Sequence, residues 1–284
     1  MNIDYVGIAP VGPYNELEKI LRERFQKGQY TGFEEQNIKR RIDARETMSD
    51  AKSVIVCLFP YFSGYEADAN ISKYAQGKDY HIIIKDKLEA ISCLLKQYVE
   101  DFSYMAYVDT GPLVDRYLAY LAGLGYYGWN HHIITEQYGS YVLIGYIINN
   151  YPFEIDVPLE KKCHQCGLCI KCCPGKALKE DFQIDPGKCM SYVTQKKEEL
   201  TEEEIIKFKS NKMAFGCDLC QDVCPHNKNV QLTPLEEFRK DIVYRLNEQD
   251  INYLSNKEFK KIYGTRAFGW RGKQLLLRNL KHLK

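Results

Sequence analysis

Eleven cysteines are present, and nine of them fall between Cys163 and Cys224. Structural disulfides are rare in a reducing compartment, so such crowding points to metal. The first group reads Cys163-x-x-Cys166-x-x-Cys169-x-x-x-Cys173-Pro174. The second reads Cys217-x-x-Cys220-x-x-x-Cys224-Pro225, and Cys189 stands between the two. The first group is the run with which bacterial ferredoxins hold [4Fe-4S] clusters. Two intervening residues let a tight loop wrap a cubane, so successive thiolates reach different irons, and the proline turns the chain away. In two-cluster proteins the fourth cysteine of such a run ligates the other cluster. The spacing therefore predicts one cluster on Cys163, Cys166, Cys169 and Cys224. It predicts a second on Cys173, Cys189, Cys217 and Cys220, and Cys172 is left over. Paired Cys-x-x-Cys groups also make zinc sites, and two Zn(Cys)4 centres would use the same residues; the longer run favours iron and sulfur. His164 and His226 flank ligands, find no vacant position, and are expected as surface or supporting residues. Two fully ligated clusters move single electrons and leave no iron open for bond chemistry. The catalyst is then expected upstream, in residues 1–158.

The remaining sequence must hold this wire and a catalytic site. A chain of 284 residues with 45% hydrophobic and 27% charged residues suffices for one large domain or two modest ones with a real core. It is not disordered, collagenous or coiled-coil. Its longest apolar runs, Ser53–Phe59 and Tyr141–Ile148, are too short to span a bilayer. The N-terminus lacks a basic stretch followed by an apolar one, so export is not expected and the protein is placed in the cytoplasm. Net charge is +1, yet residues 251–284 carry nine Lys/Arg against the single acid Glu258. That split suggests an anionic partner at the C-terminal end, or else a solvated basic helix.

Strands are expected at Ile3–Ala9, Val54–Phe59, Tyr104–Val108 and Tyr141–Ile148, the last one central in its sheet. Helices are expected from an Asn15 N-cap to Gly28, over His81–Glu100, and from Leu113 to Leu124 before Gly125. Cys57 and Cys93 read as core thiols. The mixture without a clean repeat suggests α+β rather than a doubly wound sheet. Pro152 and Pro158 mark a boundary, giving segments 1–158, 159–230 and a basic helical 231–284.

Beyond the cysteines, four stretches carry a resemblance. They are Thr31-Gly-Phe-Glu-Glu35 with Arg41; Tyr74-Ala-x-Gly-x-Asp-Tyr-His81; Val108-Asp-Thr-Gly-Pro-Leu113 followed by Ala122-Gly-Leu-Gly125; and Phe215-Gly-Cys-Asp-Leu-Cys-Gln-Asp-Val-Cys-Pro225. With Cys189-Met-Ser-Tyr-Val-Thr194 they make the chain resemble, from about Gly32 to Lys273, the epoxyqueuosine reductases, cobalamin-dependent enzymes that complete queuosine in tRNA. The resemblance implies a nitroreductase-like cobalamin-binding domain followed by a ferredoxin-like domain with two [4Fe-4S] clusters, and kinship with reductive dehalogenases. It implies base-off cobalamin and a low-potential donor of flavodoxin or ferredoxin type. It also implies Asp109 as the acid that protonates the epoxide oxygen. An Asp at a strand end, in a pocket capped by a corrin, is expected to have its pKa raised by desolvation; read from the residues alone, Asp109 opens a turn and caps the next helix. Cobalamin contacts carried over are Arg41, Ser72, Lys73, Tyr74, Asp109, Ile133, Ile144, Ser191 and Asp218, the last linking cluster domain to corrin. Lys196, Lys197, Arg271 and Lys273, with Arg278, Lys281 and Lys284 of the tail, are expected to meet tRNA phosphates.

Two departures stand out. The family often has Gly-Lys-Asn where this chain has Gly128-Trp129-Asn130, which removes a cation and offers Trp129 to a base or the corrin. Many members carry a C-terminal helical-repeat domain, whereas this sequence stops at Lys284, so less surface for tRNA is expected. The activity implied is reduction of epoxyqueuosine to queuosine by a monomer that binds no membrane. The rival readings are a corrinoid reductase of a small molecule, resembling a dehalogenase, and a ferredoxin-type electron carrier that is not an enzyme.

Overall fold

The computed structural model describes residues 5–283; Ile3 and Asp4 of the first expected strand, and Lys284 of the basic tail, lie outside them. The fold is built on a strand with no polar face. β2 (Ser53–Pro60) is buried at all eight positions, because both of its faces are covered. Strands β1 (Tyr5–Ala9), β3 (Tyr104–Val108) and β6 (Val142–Asn149) complete an antiparallel sheet in the order β1-β2-β6-β3. The apolar run expected to be central is thus interior, with Ile55 opposite Ile147 and Cys57 opposite Gly145. The short strands β4 (Tyr126–Tyr127) and β5 (Ile133–Ile134) pair separately.

Side chains alternate across the sheet, so β2 serves two cores. Val54, Val56 and Leu58 join Tyr146 and Ile148 beneath α1 (Asn15–Gln26) and α4 (Asp115–Leu121), where Leu17, Leu21, Leu118 and Ala119 close that side. A five-residue helix, α2 (Ile38–Ile42), carries Arg41 beside them. Ile55, Cys57 and Phe59 face the other way, against α3 (Tyr80–Leu95). Gly145 lets α3 lie flat on the sheet, since a Cβ there would stand 2.7 Å from Ile84 and 2.9 Å from Leu88. The helix boundaries move from expectation. Tyr14, not Asn15, is the N-cap of α1, and α3 ends at Leu95. Cys57 is a buried thiol pushed up to about 12 by burial, but Cys93 sits on the exposed side of α3 and is not a core thiol.

The cysteine region is made of short helices joined by turns: α5 (Leu168–Cys172), α6 (Met190–Val193), α7 (Glu202–Asn211) and α8 (Leu219–Asp222). A reciprocal Thr201/Glu204 capping box starts α7. The rest, α9 (Glu248–Tyr253), α10 (Asn256–Tyr263) and α11 (Lys273–His282), folds back over the α3 side of the sheet. Leu276, Leu277 and Leu280 of α11 share one apolar core with Phe59, Ile84 and Phe215. The basic C-terminal segment is therefore a core element with a charged outer side, not a solvated helix. Asn279 of α11 is fully buried and donates to the carbonyls of Thr194 and Ala214 at 2.6 and 2.8 Å, tying α11 to both halves of the cysteine region. The architecture is α+β, as the sequence pattern suggests.

Candidate active site

The thiols fall into two sets. Cys163, Cys166, Cys169 and Cys224 border one cavity together with Gly128, Trp129 and Asn130. Burial, then the neighbouring Cys163, Cys224 and Cys166, push the Cys169 thiol up to about 11. In the other set burial raises Cys220 and Cys217, and the like-charging neighbours that add to it include Cys189 and Cys173. Among the described residues no three His, Cys, Asp or Glu side chains close on a single metal ion. Cys172 stands apart, its thiol directed at the carbonyls of Cys169 and Leu219 at 3.4 Å. His164 and His226 stack on each other at 4.1 Å, and Tyr126 reaches His226 Nδ1 at 3.2 Å. Trp129 lies beside the first thiol set, and its indole N–H is buried without a protein partner.

The second set is welded to the sheet. Asp218, 1% exposed between Cys217 and Cys220, accepts from the Ser72 hydroxyl, from the Lys73 backbone N–H at 2.9 Å and from Lys73 Nζ at 3.4 Å. Lys73 Nζ also pairs with Asp222 at 2.7 Å. Burial raises Asp218, and Lys73 and Ser72 oppose that rise. Asp218 thus joins the cysteine region to the Ser72–Lys73 segment. Gln221, buried, bridges Tyr61 and Ser140, and Asn227 closes the network from below.

Asp109 ends β3 with φ +58, a conformation that Asp tolerates better than most residues. The loop after it lies on Tyr146, and a Cβ on Gly111 would stand 2.0 Å from the Tyr146 hydroxyl, so only glycine fits. Asp109 does not cap α4, whose N-cap is Val114. Its side chain is 59% exposed, yet two α3 residues hold it. Tyr80 donates to Asp109 Oδ2 at 2.9 Å, and His81 Nε2 stands 3.4 Å from the same oxygen. His81 Nδ1 lies 2.8 Å from Asp79, the N-cap of α3, and its ring stacks on Tyr80 at 4.1 Å.

This arrangement reverses the expected protonation. Desolvation pulls Asp109 up, but hydrogen bonds from His81 and Tyr80 and the charges of His81 and Arg116 outweigh it, leaving the carboxyl below its ordinary value. Burial pulls His81 down, and the bonds to Asp109 and Asp79 more than offset this, raising it to about 9. At neutral pH the proton therefore sits on the imidazole. Asp115, one turn on, is raised well above the usual range by burial and by Asp109. Sequence reasoning quoted Asp79, Tyr80 and His81 only as a motif; a carboxylate N-cap two residues before a histidine was the available signal.

Other expected residues divide. Arg41, Arg24 and Arg116 form one cationic group, with Arg24 and Arg116 both holding His131 at 2.7 Å. Burial comes first in lowering Arg41 and Arg24, and Arg116 adds to both. Tyr74 lies near Ser191, Asp109 and Cys189. Ile144 is half-buried, whereas Ile133 is 2% exposed in the core. Tyr74 feels both Asp109 and Cys189, so the second thiol set lies on the Asp109 side, and His132 Nε2 stands 3.9 Å from Cys220. Cys166, in the first set, is exposed. An open depression of about 520 Å3 lined by Glu89, Lys96 and residues 102–107 shares none of these groups.

Lys197 is exposed, but three cations expected at phosphates are engaged within the protein. Lys196 pairs with Glu204 at 2.7 Å, Lys273 Nζ donates to the carbonyls of Asn252 and Leu254, and Arg278 donates to the Glu198 carbonyl at 2.8 Å. Arg271 lies over aromatic rings instead. Lys281 is exposed on α11.

With this geometry, comparison with known proteins is decisive. Epoxyqueuosine reductase from Bacillus anthracis is 36% identical over 304 residues, covering 100% of this chain and 78% of that protein. The chain belongs to the epoxyqueuosine reductase family. The family model described as Epoxyqueuosine reductase QueG, DUF1730, matches residues 41–110, and a 4Fe-4S double cluster binding domain matches residues 162–227. That match supports two iron–sulfur clusters within residues 162–227. A crystal structure of epoxyqueuosine reductase with a tRNA-Tyr epoxyqueuosine-modified tRNA stem loop superposes with TM-score 0.92 at 32% identity, covering 99% of this chain and 77% of that one. The Bacillus subtilis epoxyqueuosine reductase, solved with its catalytic Asp loop swung out of the active site, superposes with TM-score 0.92 at 31% identity, with the same coverage. No helix of the described residues is long and apolar enough to cross a membrane.

Proposed function

We propose that this oxidoreductase reduces epoxyqueuosine to queuosine in the tRNA anticodon loop, with cobalamin as cofactor. The observation that carries the reading is the Asp79–His81–Asp109 array on the side of the second thiol set, in a chain of this family. Loss of the epoxide oxygen as water takes two electrons and two protons and leaves an alkene. Electrons come singly from a low-potential donor of flavodoxin or ferredoxin type, which docks on the exposed Cys166 side and is served by the clusters as one-electron carriers.

Arg41, Tyr74, Asp109, Ile144 and Ser191 are the residues that would line the corrin. Ser72, Lys73, Ile133 and Asp218 support them from behind, because their polar atoms and side-chain surfaces are already engaged. The donor set suits the cofactor: a cation and hydroxyls for its amides and phosphate, a half-buried isoleucine for the ring. Bound there in its base-off form, cobalamin supplies the reducing chemistry at carbon. The chain's own part is the proton. His81 keeps it at Nε2, Asp109 Oδ2 receives it and hands it to the developing alkoxide, and Tyr80 fixes that oxygen. Asp79 holds the ring in orientation and favours its charged form. Acting on tRNA, the enzyme works in the cytoplasm as a monomer.

The test is nucleoside mass spectrometry of epoxyqueuosine-containing tRNA after anaerobic incubation with reconstituted enzyme, cobalamin and reductant. Queuosine is the expected product. The Asp109→Asn variant should keep its iron and cobalamin and lose about 10²–10⁴-fold in turnover. A wild-type enzyme without product, or an Asp109→Asn variant as active as wild type, would overturn the reading.

A further inference from the structure

Three rings meet on the surface beside this site. Phe33 stands edge-on to Tyr192 at 5.1 Å and to Trp270 at 5.8 Å. The Arg271 guanidinium lies over two of these rings, 3.8 Å from the Trp270 centroid and 4.8 Å from that of Phe33. Folding leaves Phe33 46% and Trp270 55% exposed. The platform is nevertheless pinned. The Trp270 indole N–H donates to Gln195 Oε1 at 3.2 Å, and Gln195 Nε2 donates to the Ser191 carbonyl at 2.9 Å and to the Tyr74 hydroxyl at 3.4 Å.

The same residues connect it to the reacting end. Tyr74 packs edge-on to Tyr80 at 6.0 Å, and Tyr80 donates to Asp109. The surface is thus continuous with the proposed active site. Ordered aromatic surface left open to water marks a binding surface. A planar cation among rings selects a ligand that is aromatic and anionic at once, and unpaired RNA bases are bound in this way, by stacking on aromatic rings and guanidinium planes. The exposed Lys197, two residues beyond Gln195, adds a point charge suited to a phosphate. A base drawn out of an anticodon loop leaves its neighbours unstacked, and those bases need a surface to lie on.

We propose that Trp270, backed by Phe33 and Arg271, is a stacking platform for an unpaired nucleobase flanking the nucleotide under reduction. The proposal rests on the functional reading above, since it takes the RNA loop as occupant. Binding of the full-length, cluster-loaded protein to an unmodified anticodon stem-loop RNA is measured across salt concentrations, beside a fully paired blunt RNA duplex of equal nucleotide count. Trp270→Ala should weaken loop binding about tenfold or more. It should leave the slope of affinity against salt unchanged, because no charge is removed, and leave duplex binding unaffected. Trp270→Phe should restore most of the loss, and iron content and melting temperature confirm that each variant folds. Unchanged loop binding in Trp270→Ala, or equal weakening on paired RNA, overturns the platform. Slower reduction by a flavodoxin-type donor with loop binding intact also overturns it, making the surface a protein dock. Turnover of an epoxyqueuosine stem-loop by the wild type is followed in parallel. Turnover without a Trp270 effect removes the platform and leaves the function; a Trp270 effect without turnover does the reverse.

Discussion

Replacing His81 with glutamine tests where the proton is kept. In the wild type the imidazole stands 2.8 Å from Asp79 and 3.4 Å from Asp109 and is raised to about 9. The protonated form is the active one, so kcat/KM should be level through neutrality and fall tenfold per pH unit above about 9. His81→Gln keeps an amide donor but has no proton to give. The loss of a general acid is about 10²–10⁴-fold, or about 3–5 kcal/mol at the barrier. The alkaline limb near 9 should vanish with it. Asp79→Asn removes one of the two carboxylates and should move the limb to between the ordinary 6.5 and 9 while sparing the acid-side rate. Single-turnover assays on pre-reduced enzyme keep electron delivery from masking the chemistry. Activity of His81→Gln within threefold of wild type, or an unchanged limb, would refute the assignment. The sign for stability follows from the same pair. Because folding raises His81, its contribution is full below about 6.5 and is lost as pH climbs through 9, so the wild-type advantage over His81→Gln should shrink across that window. Asp109, lowered on folding, gives up its own share as acid takes the pH through its depressed value.

Asp218→Ala leaves the Ser72 hydroxyl and the Lys73 backbone N–H without their acceptor, while Lys73 Nζ keeps Asp222, and should cost about 1–3 kcal/mol in chemical denaturation. Cys220→Ser should halve the iron content from about eight per chain while Cys172→Ala leaves it intact, as read by iron analysis of anaerobically reconstituted protein. Lys197→Gln should lower the salt slope of tRNA binding by about one, whereas Lys273→Gln should leave it unchanged, because that ammonium is spent on two helix-end carbonyls.

The double-cluster region was legible because a cubane dictates spacing locally, and a double-cluster domain matches that stretch. The sheet was legible for a similar reason: the central runs Val54–Phe59 and Val142–Ile148 are apolar and short, as a strand covered on both sides reads. The position of Asp109 came through its motif, but its charge did not. That charge depends on Tyr80 and His81, and Tyr80 lies 29 residues away in sequence; only the packing of α3 against β3 brings them to one oxygen. The lysines misled for a related reason. A basic stretch says nothing about which ammonium turns inward, and Lys196 and Lys273 turn inward because α7 offers a capping glutamate and α9 an open carbonyl end. Trp129 beside the first thiol set, and Cys93 facing water, were equally invisible without the fold.

The apolar core shared by Phe59, Ile84, Phe215 and Leu276 joins the sheet, α3, the flank of the second cysteine group and the C-terminal helices. Such a protein resists dissection. A fragment cut after the last cysteine would leave the α3 face of the sheet bare and sticky, and the electron-carrying part could not be lent to another enzyme as a loose cassette. Wire and catalyst are inherited, lost or engineered together.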